Sequence, residues 1–546
     1  MKATGISGLW AIWLALCVPL VTHAQVQTQA STGSQPALPA TFLITEFLVE
    51  GNTVLQSAQI ERAVERFLGP DRKLDDVYAA QDALTKVYEE GGYVSATVRA
   101  LRLDPVDTEW GKGWIAVLVV TEGRVDRLKV TGAQYNLPSA VKDRVASVGE
   151  GKVPHFPTLQ KQLGEVAGMS DLTVTPLLRP GRDPGTMEVE LKVEDKLPLH
   201  AWAQLSNDQS PDTSPRRMEL GARYDNLWQA QHSVSFRFIN TPLRTDEIQV
   251  GVLTYSLPNG KGDERLTLYG VRSDSKIGAN TATGVVGKGS TLGFRQTAIV
   301  PGTAEGNYER LSYGADYKRL GEESESSGSK PVQYLPLALQ FIALYPGESG
   351  RWRISSGLTA SFAGVMDRKV NECSGVAGDR DQFDCRRAGA SSSFLVWNSS
   401  VQREHKLGKW GALQGKLGWQ FASGPLISSE QFFVGGADSV RGYYQSEAGG
   451  DDGANASLEY LTPSVIPESW KFGLKFLTFF DAGWVRKQQT LSGQTADYRL
   501  IGTGLGVRLE VGKTLTGTLD WGRAQLPGPT SKDGANRVHA QVKAEF

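Results

Sequence analysis

The sequence predicts two tandem α+β modules followed by an antiparallel β-barrel of about sixteen strands that spans a membrane. Three observations carry this expectation. Helical and strand periods alternate from Thr41 to Lys196, and the helical spacing then ceases. From Leu197 to Phe546, short segments of alternating apolar and polar residues are separated by Gly, Asn, Pro and Ser turns. Beyond the N-terminus no segment reaches the ~20-residue apolar run of a spanning helix. The longest, "LPLALQFIALYP" from Leu335 to Pro346, is shorter and contains prolines. In lipid, a closed barrel is then the structure that satisfies every backbone hydrogen bond.

Residues 1–24 read as a secretory signal: Lys2 precedes an uncharged stretch from Leu9 to Val21, and Val21-Thr22-His23-Ala24 offers small residues for cleavage. Leu14-Ala15-Leu16-Cys17 offers a lipoprotein-like alternative, with Leu16 where Gly or Ala is wanted, and a retained anchor is the other alternative. Residues 25–40 are small, polar and Pro-containing, a flexible leader without a helical apolar period.

The first module covers 41–123. "TFLITEFLVEGNTVL" is a strand ending in a turn at Gly51-Asn52. Ile60, Val64 and Phe67 keep helical spacing, as do Val77, Ala80, Leu84 and Val87, with Gly91-Gly92 as the stop. "YVSATVRALRL" and "WIAVLVVTEG" complete a β-α-α-β-β order. The second module, 124–196, repeats that order more weakly through "RVDRLKVTGA", helices at Ser139–Val148 and Thr158–Ala167, "DLTVTPLLRPG" and "TMEVELKVED".

In the barrel, 197–546, Leu413, Leu417, Trp419 and Phe421 share one face against Gln414, Lys416 and Gln420. Leu458 and Tyr460 oppose Ser457 and Glu459; Ile501, Leu505 and Val507 oppose Gly502, Gly504, Gly506 and Arg508; Val538 and Val542 oppose His539 and Lys543. The aliphatic and aromatic face suits lipid, and the other suits a watery lumen.

Composition narrows the chemistry. A formal net charge of −1 carries no basic signature of nucleic-acid binding. The six histidines are scattered without a paired Ser or carboxylate arrangement, and "GVVGKGS" and "GTGLGV" lack the context of a phosphate loop, so neither enzyme activity nor a cofactor or metal is expected. Cys373 and Cys385, close together in "NECSGVAGDRDQFDC" of an exported chain, predict a local disulfide.

"FFVGGADSVRGYYQ", Phe432–Gln445, fits neither helix nor strand. Forty residues on, in "KFGLKFLTFFDAGW", Asp481 shares parity with Lys471, Gly473 and Lys475 and so points into the lumen, while Phe472, Leu474, Phe476, Phe480 and Trp484 point outward. A confined carboxylate wants a cation, and Arg441 and Lys475 are both candidates. Here the chain resembles the TpsB transporters, outer-membrane partners of two-partner secretion in the Omp85 superfamily. "YEEGGYVSATV", "VVTEGRVDRLKVTG" and "LRPGRDPGTMEVELKVED" resemble their POTRA domains, "VGGADSVRGYY" and "FFDAGWV" their pore-loop and facing-strand motifs, and Phe546 their C-terminal assembly signal.

The resemblance implies periplasmic POTRA domains and an inward-folded loop around 432–450 whose Arg441 meets Asp481. It makes Gly435, Gly436, Val440, Gly442 and Tyr443 the loop motif. Its implied partner is an unfolded, exported TpsA-type protein with an N-terminal secretion domain, an adhesin, hemolysin or contact-dependent toxin, secreted without ATP. Outer-membrane lipid surrounds such a barrel, and the barrel assembly machinery and periplasmic chaperones serve its biogenesis. The alternative is an Omp85-type factor that assembles other outer-membrane proteins. Because a solvated ion pair is worth little, the arginine is expected to be a weak lock.

Overall fold

The alternating periods between Phe42 and Thr121 fold into one sheet with two helices packed on it. In the computed structural model the described residues are 39–546 except 110, 168, 170, 212, 261–263, 276–286, 305, 322–330, 367–368 and 374–375; the side chains of 370–379 and 468 are also outside the description. The expected signal, 1–24, and nearly all of the leader, 25–40, fall outside it.

The first module runs β1 (Phe42–Glu50), α1 (Ser57–Val64), β2 (Gly69–Arg72), α2 (Leu74–Glu90), β3 (Thr97–Thr108) and β4 (Gly111–Thr121). Its sheet order is β2-β1-β4-β3, with β1 parallel to β4. Helix α2 begins where the Lys73 amide donates to Asp76 Oδ2 at 2.7 Å, and the chain leaves it through Gly92 at φ +83°. Val77, Ala80, Leu84 and Tyr88, on one face of α2, bury against Ala116 and Leu118 of β4. The short β2 departs from the expected β-α-α-β-β order. Its "GPDR" has no apolar period, and a proline is tolerated there because the strand lies at the sheet edge, pairing only with β1.

The second module runs β5 (Arg124–Thr131), α3 (Pro138–Arg144), α4 (Phe156–Ala167), β6 (Leu172–Pro180) and β7 (Thr186–Asp195), in the order β5-β7-β6. Asp195 ends β7 and accepts the backbone amides of Gln134, Tyr135 and Asn136 at 2.9, 2.8 and 2.8 Å, fixing the loop into α3. That loop reaches the barrel: Asn226 Nδ2 donates to Asn136 Oδ1 at 2.8 Å, and Gln229 Nε2 donates to the Tyr135 carbonyl at 3.0 Å.

From Leu199 to Glu545 the strands close into an antiparallel barrel of 16 strands. The short Val332–Tyr334 shares a position with Leu337–Gly347, since both pair with Tyr308–Leu320. The circuit closes where Gln541–Glu545 pairs with Trp202–Ser206. Side-chain alternation places Leu417, Phe421, Leu505 and Val542 on the exposed outer face, while Gln420, Asp481, Asp520 and His539 are buried inside.

The segment between the barrel strands Ala412–Ala422 and Asp452–Leu461 folds into the lumen. It carries a small hairpin, Phe432–Val434 with Ala448–Gly450, and its Val434, Val440 and Tyr443 are fully buried. Cys385 is disulfide-bonded; the side chain of Cys373 lies outside the described residues.

Candidate functional site

The site grows from a reversal at the tip of the inward loop. Gly435 and Gly436 have φ +108° and +99°, the Gly435 amide donates to Ser439 Oγ at 2.8 Å, and the Gly436 amide donates to the Val440 carbonyl at 3.0 Å. This turn presents Ala437-Asp438-Ser439 as the tip and delivers Arg441 to the inner wall, where Lys416 Nζ donates to the Asp438 carbonyl at 3.0 Å.

Arg441 and Asp481 are brought together. Nε donates to Oδ2 at 2.8 Å, Nη2 donates to Oδ1 at 2.9 Å, and the Arg441 amide also donates to Oδ2 at 3.1 Å. Two other carboxylates share the cation: Glu459 Oε1 lies 2.6 Å from Nη2, and Asp520 Oδ2 lies 3.3 Å from Nη1. Ser457 Oγ donates to Asp481 Oδ1 at 2.6 Å, and Arg508 forms a second fork on Asp520. The guanidinium stands 3.5 Å from the centroid of the Phe479 ring, a cation–π contact. Lys475 is not the partner of Asp481; it pairs with Glu510 at 3.2 Å.

The expectation of a solvated, weak pair is corrected by burial. The Arg441 side chain is 4 % exposed and that of Asp481 0 %. The difference arises because the loop backbone lies directly on the wall and covers Asp481, while a cavity of about 360 Å³ lined by Ser457 and Glu459 reaches the edge of Arg441. A trough of glycines on three adjacent strands permits that approach. A Cβ at Gly502 would collide with the Arg441 carbonyl oxygen. At Gly522 a Cβ would stand 2.5 Å from the Gly442 nitrogen, and at Gly483 2.8 Å from Val440 Cγ2. Gly442 itself has φ +98°, and a Cβ there would meet the backbone nitrogen of Ala524 at 2.9 Å.

The rest of the motif is anchored further along. Tyr443 is buried and donates to the Leu526 carbonyl at 2.7 Å. Tyr444 stacks beneath Arg537, 3.4 Å from guanidinium to ring centroid. Glu447 accepts the amides of Tyr444, Thr530 and Ser531 at 3.0, 2.8 and 2.6 Å, tying the returning limb to a connection on the far strands. Phe546 is exposed, and its backbone exchanges hydrogen bonds with Ala201 at 2.8 and 3.1 Å across the barrel seam.

Sequence reasoning named Arg441 and Asp481 but not Glu459, Asp520 or Phe479 as members of the cluster. Parity already turned Glu459 inward, and the residues two apart from Asp481 include Phe479, so the signal was present without a partner. What parity cannot supply is which inward residues of different strands share a height in the barrel.

Among known proteins, residues 357–509 match the family described as haemolysin secretion/activation protein ShlB/FhaC/HecB, and residues 42–107 match the POTRA domain, ShlB-type. The first span contains both Arg441 and Asp481. The outer membrane transporter CdiB of Dickeya dadantii (strain 3937) is 21% identical over 420 residues, covering 76% of this chain and 71% of that protein. These matches agree with the resemblance to the TpsB transporters that the motifs carry. In fold, the chain is similar to CdiB from Escherichia coli, with a TM-score of 0.61, 17% identity, and 96% of this chain and 93% of that chain covered. It is also similar to CdiB from Acinetobacter baumannii, at 0.57 and 14% identity, with coverage of 93% and 91%. The relatives so matched are outer membrane transporters, and the barrel and the POTRA-type module of this chain are the parts that correspond to them.

Proposed function

We propose that this protein is a two-partner secretion transporter of the outer membrane, which captures an unfolded TpsA-type partner through its POTRA domains and passes it through the barrel without ATP, with the Arg441 fork as the lock on the pore loop. The observation that carries this reading is the loop itself: a polypeptide folded into the lumen, with a buried arginine between Asp481, Glu459 and Asp520 near its tip and Tyr443 and Glu447 anchoring its returning limb. Arg441 is the charged contact nearest the tip, so its release frees the tip first while Glu447 still ties the returning limb.

POTRA sheets have edges, at β3 in the first module and β6 in the second, where an extended chain gains backbone hydrogen bonds with little side-chain specificity. The free energy for one-way movement would come from folding of the passenger on the far side, which prevents its return. The signal at 1–24, the loop motif Gly435, Gly436, Val440, Gly442 and Tyr443, and the assembly role of Phe546 belong to the same reading, as do the lipid, assembly-machinery and chaperone contacts of a barrel in biogenesis.

Deleting the gene and profiling both the medium and the outer membrane tests it. Loss of one large exported protein with an otherwise intact outer membrane is the expected result. Depletion of many barrel proteins would instead identify an assembly factor and overturn the secretion reading.

A further inference from the structure

The lumen holds a second inward-folded segment that the Arg441 loop does not account for. Between the barrel strands Gly350–Ser361 and Phe394–Lys406, residues 381–392 turn into the mouth of the barrel at the end away from the second module. Phe383 is 1 % exposed there. Its ring lies 5.0 Å from that of Tyr334 and 6.0 Å from that of Phe394. Around it gathers an apolar cluster that includes Ile239, Ile248 and Val271 from the inner wall and Leu426 from the connection that carries Arg441. A water-filled lumen is ordinarily lined by polar groups, so an apolar cluster bridging its walls excludes water at that height.

Arg387 fastens the same segment. It forms a bidentate fork on Asp451, whose side chain is 0 % exposed, and donates further to the Leu426 and Gln488 carbonyls at 2.6 and 2.8 Å. Asp451 also accepts the Leu426 amide at 2.9 Å and the Gln488 amide at 2.7 Å. Asp451 adjoins the barrel strand Asp452–Leu461, and its amide donates to the Arg486 carbonyl at 2.8 Å, so the acceptor of Arg387 is tied to the wall independently of Arg441.

We infer that residues 381–392 form a second closure of the pore, in series with the Arg441 loop, shut by the Phe383 cluster and the Arg387 fork on Asp451. The inference rests on the barrel being a protein-conducting pore, but its first test reads ion flow and requires no partner protein. Two closures in series leave the pore shut when either alone is loosened.

Full-length protein in planar bilayers, with folded barrels selected by heat-modifiable mobility, would therefore show little added conductance for Phe383→Ala or Arg387→Gln alone. Either change combined with Arg441→Ala should conduct several-fold more than Arg441→Ala. A combined variant that conducts no more than Arg441→Ala overturns the second closure. An independent arm uses the chain with the closure intact. The Gln333 amide donates to Gln382 Oε1 at 2.9 Å and Gln382 Nε2 returns to the Gln333 carbonyl at 2.6 Å, so Gln333→Cys with Gln382→Cys would tie the segment to the wall. Export should stop when that disulfide forms and recover with reductant, which should leave wild-type export unchanged. Export that continues through the cross-linked protein also overturns the inference, whereas failure of the secretion reading would appear as unaltered export in the deletion strain.

Discussion

Arg441 is a buried cation surrounded by three carboxylates and a ring. Removing it does more than delete a contact, because Asp481, Glu459 and Asp520 then repel one another without a counter-charge. Breaking a buried pair in this way typically costs about 3–5 kcal/mol, far more than a solvated lock would. Arg441→Ala should therefore leave a folded, inserted barrel whose loop segment 432–450 gains hydrogen exchange and whose export falls; normal export at matched expression would remove the lock role. Arg441→Lys should fail to restore export, since a point charge cannot make the two parallel bonds to Asp481 or stack as a plane on Phe479. The glycine trough offers a probe that changes no charge. Gly502→Val puts atoms where the Arg441 carbonyl oxygen lies, and proteolysis of the loop in intact vesicles should rise as it does for Arg441→Ala.

At the scale of elements, the modules and the barrel were legible to different degrees. Helix α2 announced itself through Val77, Ala80 and Leu84, and those residues are its buried face. Leu84→Ala should destabilise the first module by about 2–5 kcal/mol, read as faster hydrogen exchange across α2 with the barrel unaffected. The strand β2 was not legible, because its four residues have neither length nor period and exist as a strand only by pairing with β1. In the second module, burial tends to raise the Asp195 carboxyl, but the amides of Gln134, Tyr135 and Asn136 and the Asn136 side chain outweigh it and hold the group below its ordinary value. A depressed carboxyl stabilises the fold above its unfolded pKa and loses that contribution as pH falls through the folded value. Exchange protection at residues 134–136 should therefore persist at neutral pH and collapse only in the acid range below the usual carboxylate pKa; in Asp195→Asn it should be reduced at neutral pH as well.

For the whole molecule, the barrel is a wall whose inner face is glycine-rich where the Arg441 loop rests on it and apolar where Phe383 packs against it. Strand alternation, the break in period near Leu197 and the inward parity of Asp481 follow from the chain alone, because the side-chain period of a strand is local geometry repeated every two residues. The two-module plan, the barrel of sixteen strands and the inward face of its key carboxylate were determined there. Tertiary structure alone decided the rest: that Glu459, Asp520 and Phe479 converge on Arg441, that Gly483, Gly502 and Gly522 line up into a trough, and that Arg387 reaches Asp451. Those meetings depend on the stagger between neighbouring strands and on how far two long connections turn back into the lumen. Both are set by closure of the whole circuit, where no residue's own neighbours in the chain carry the information.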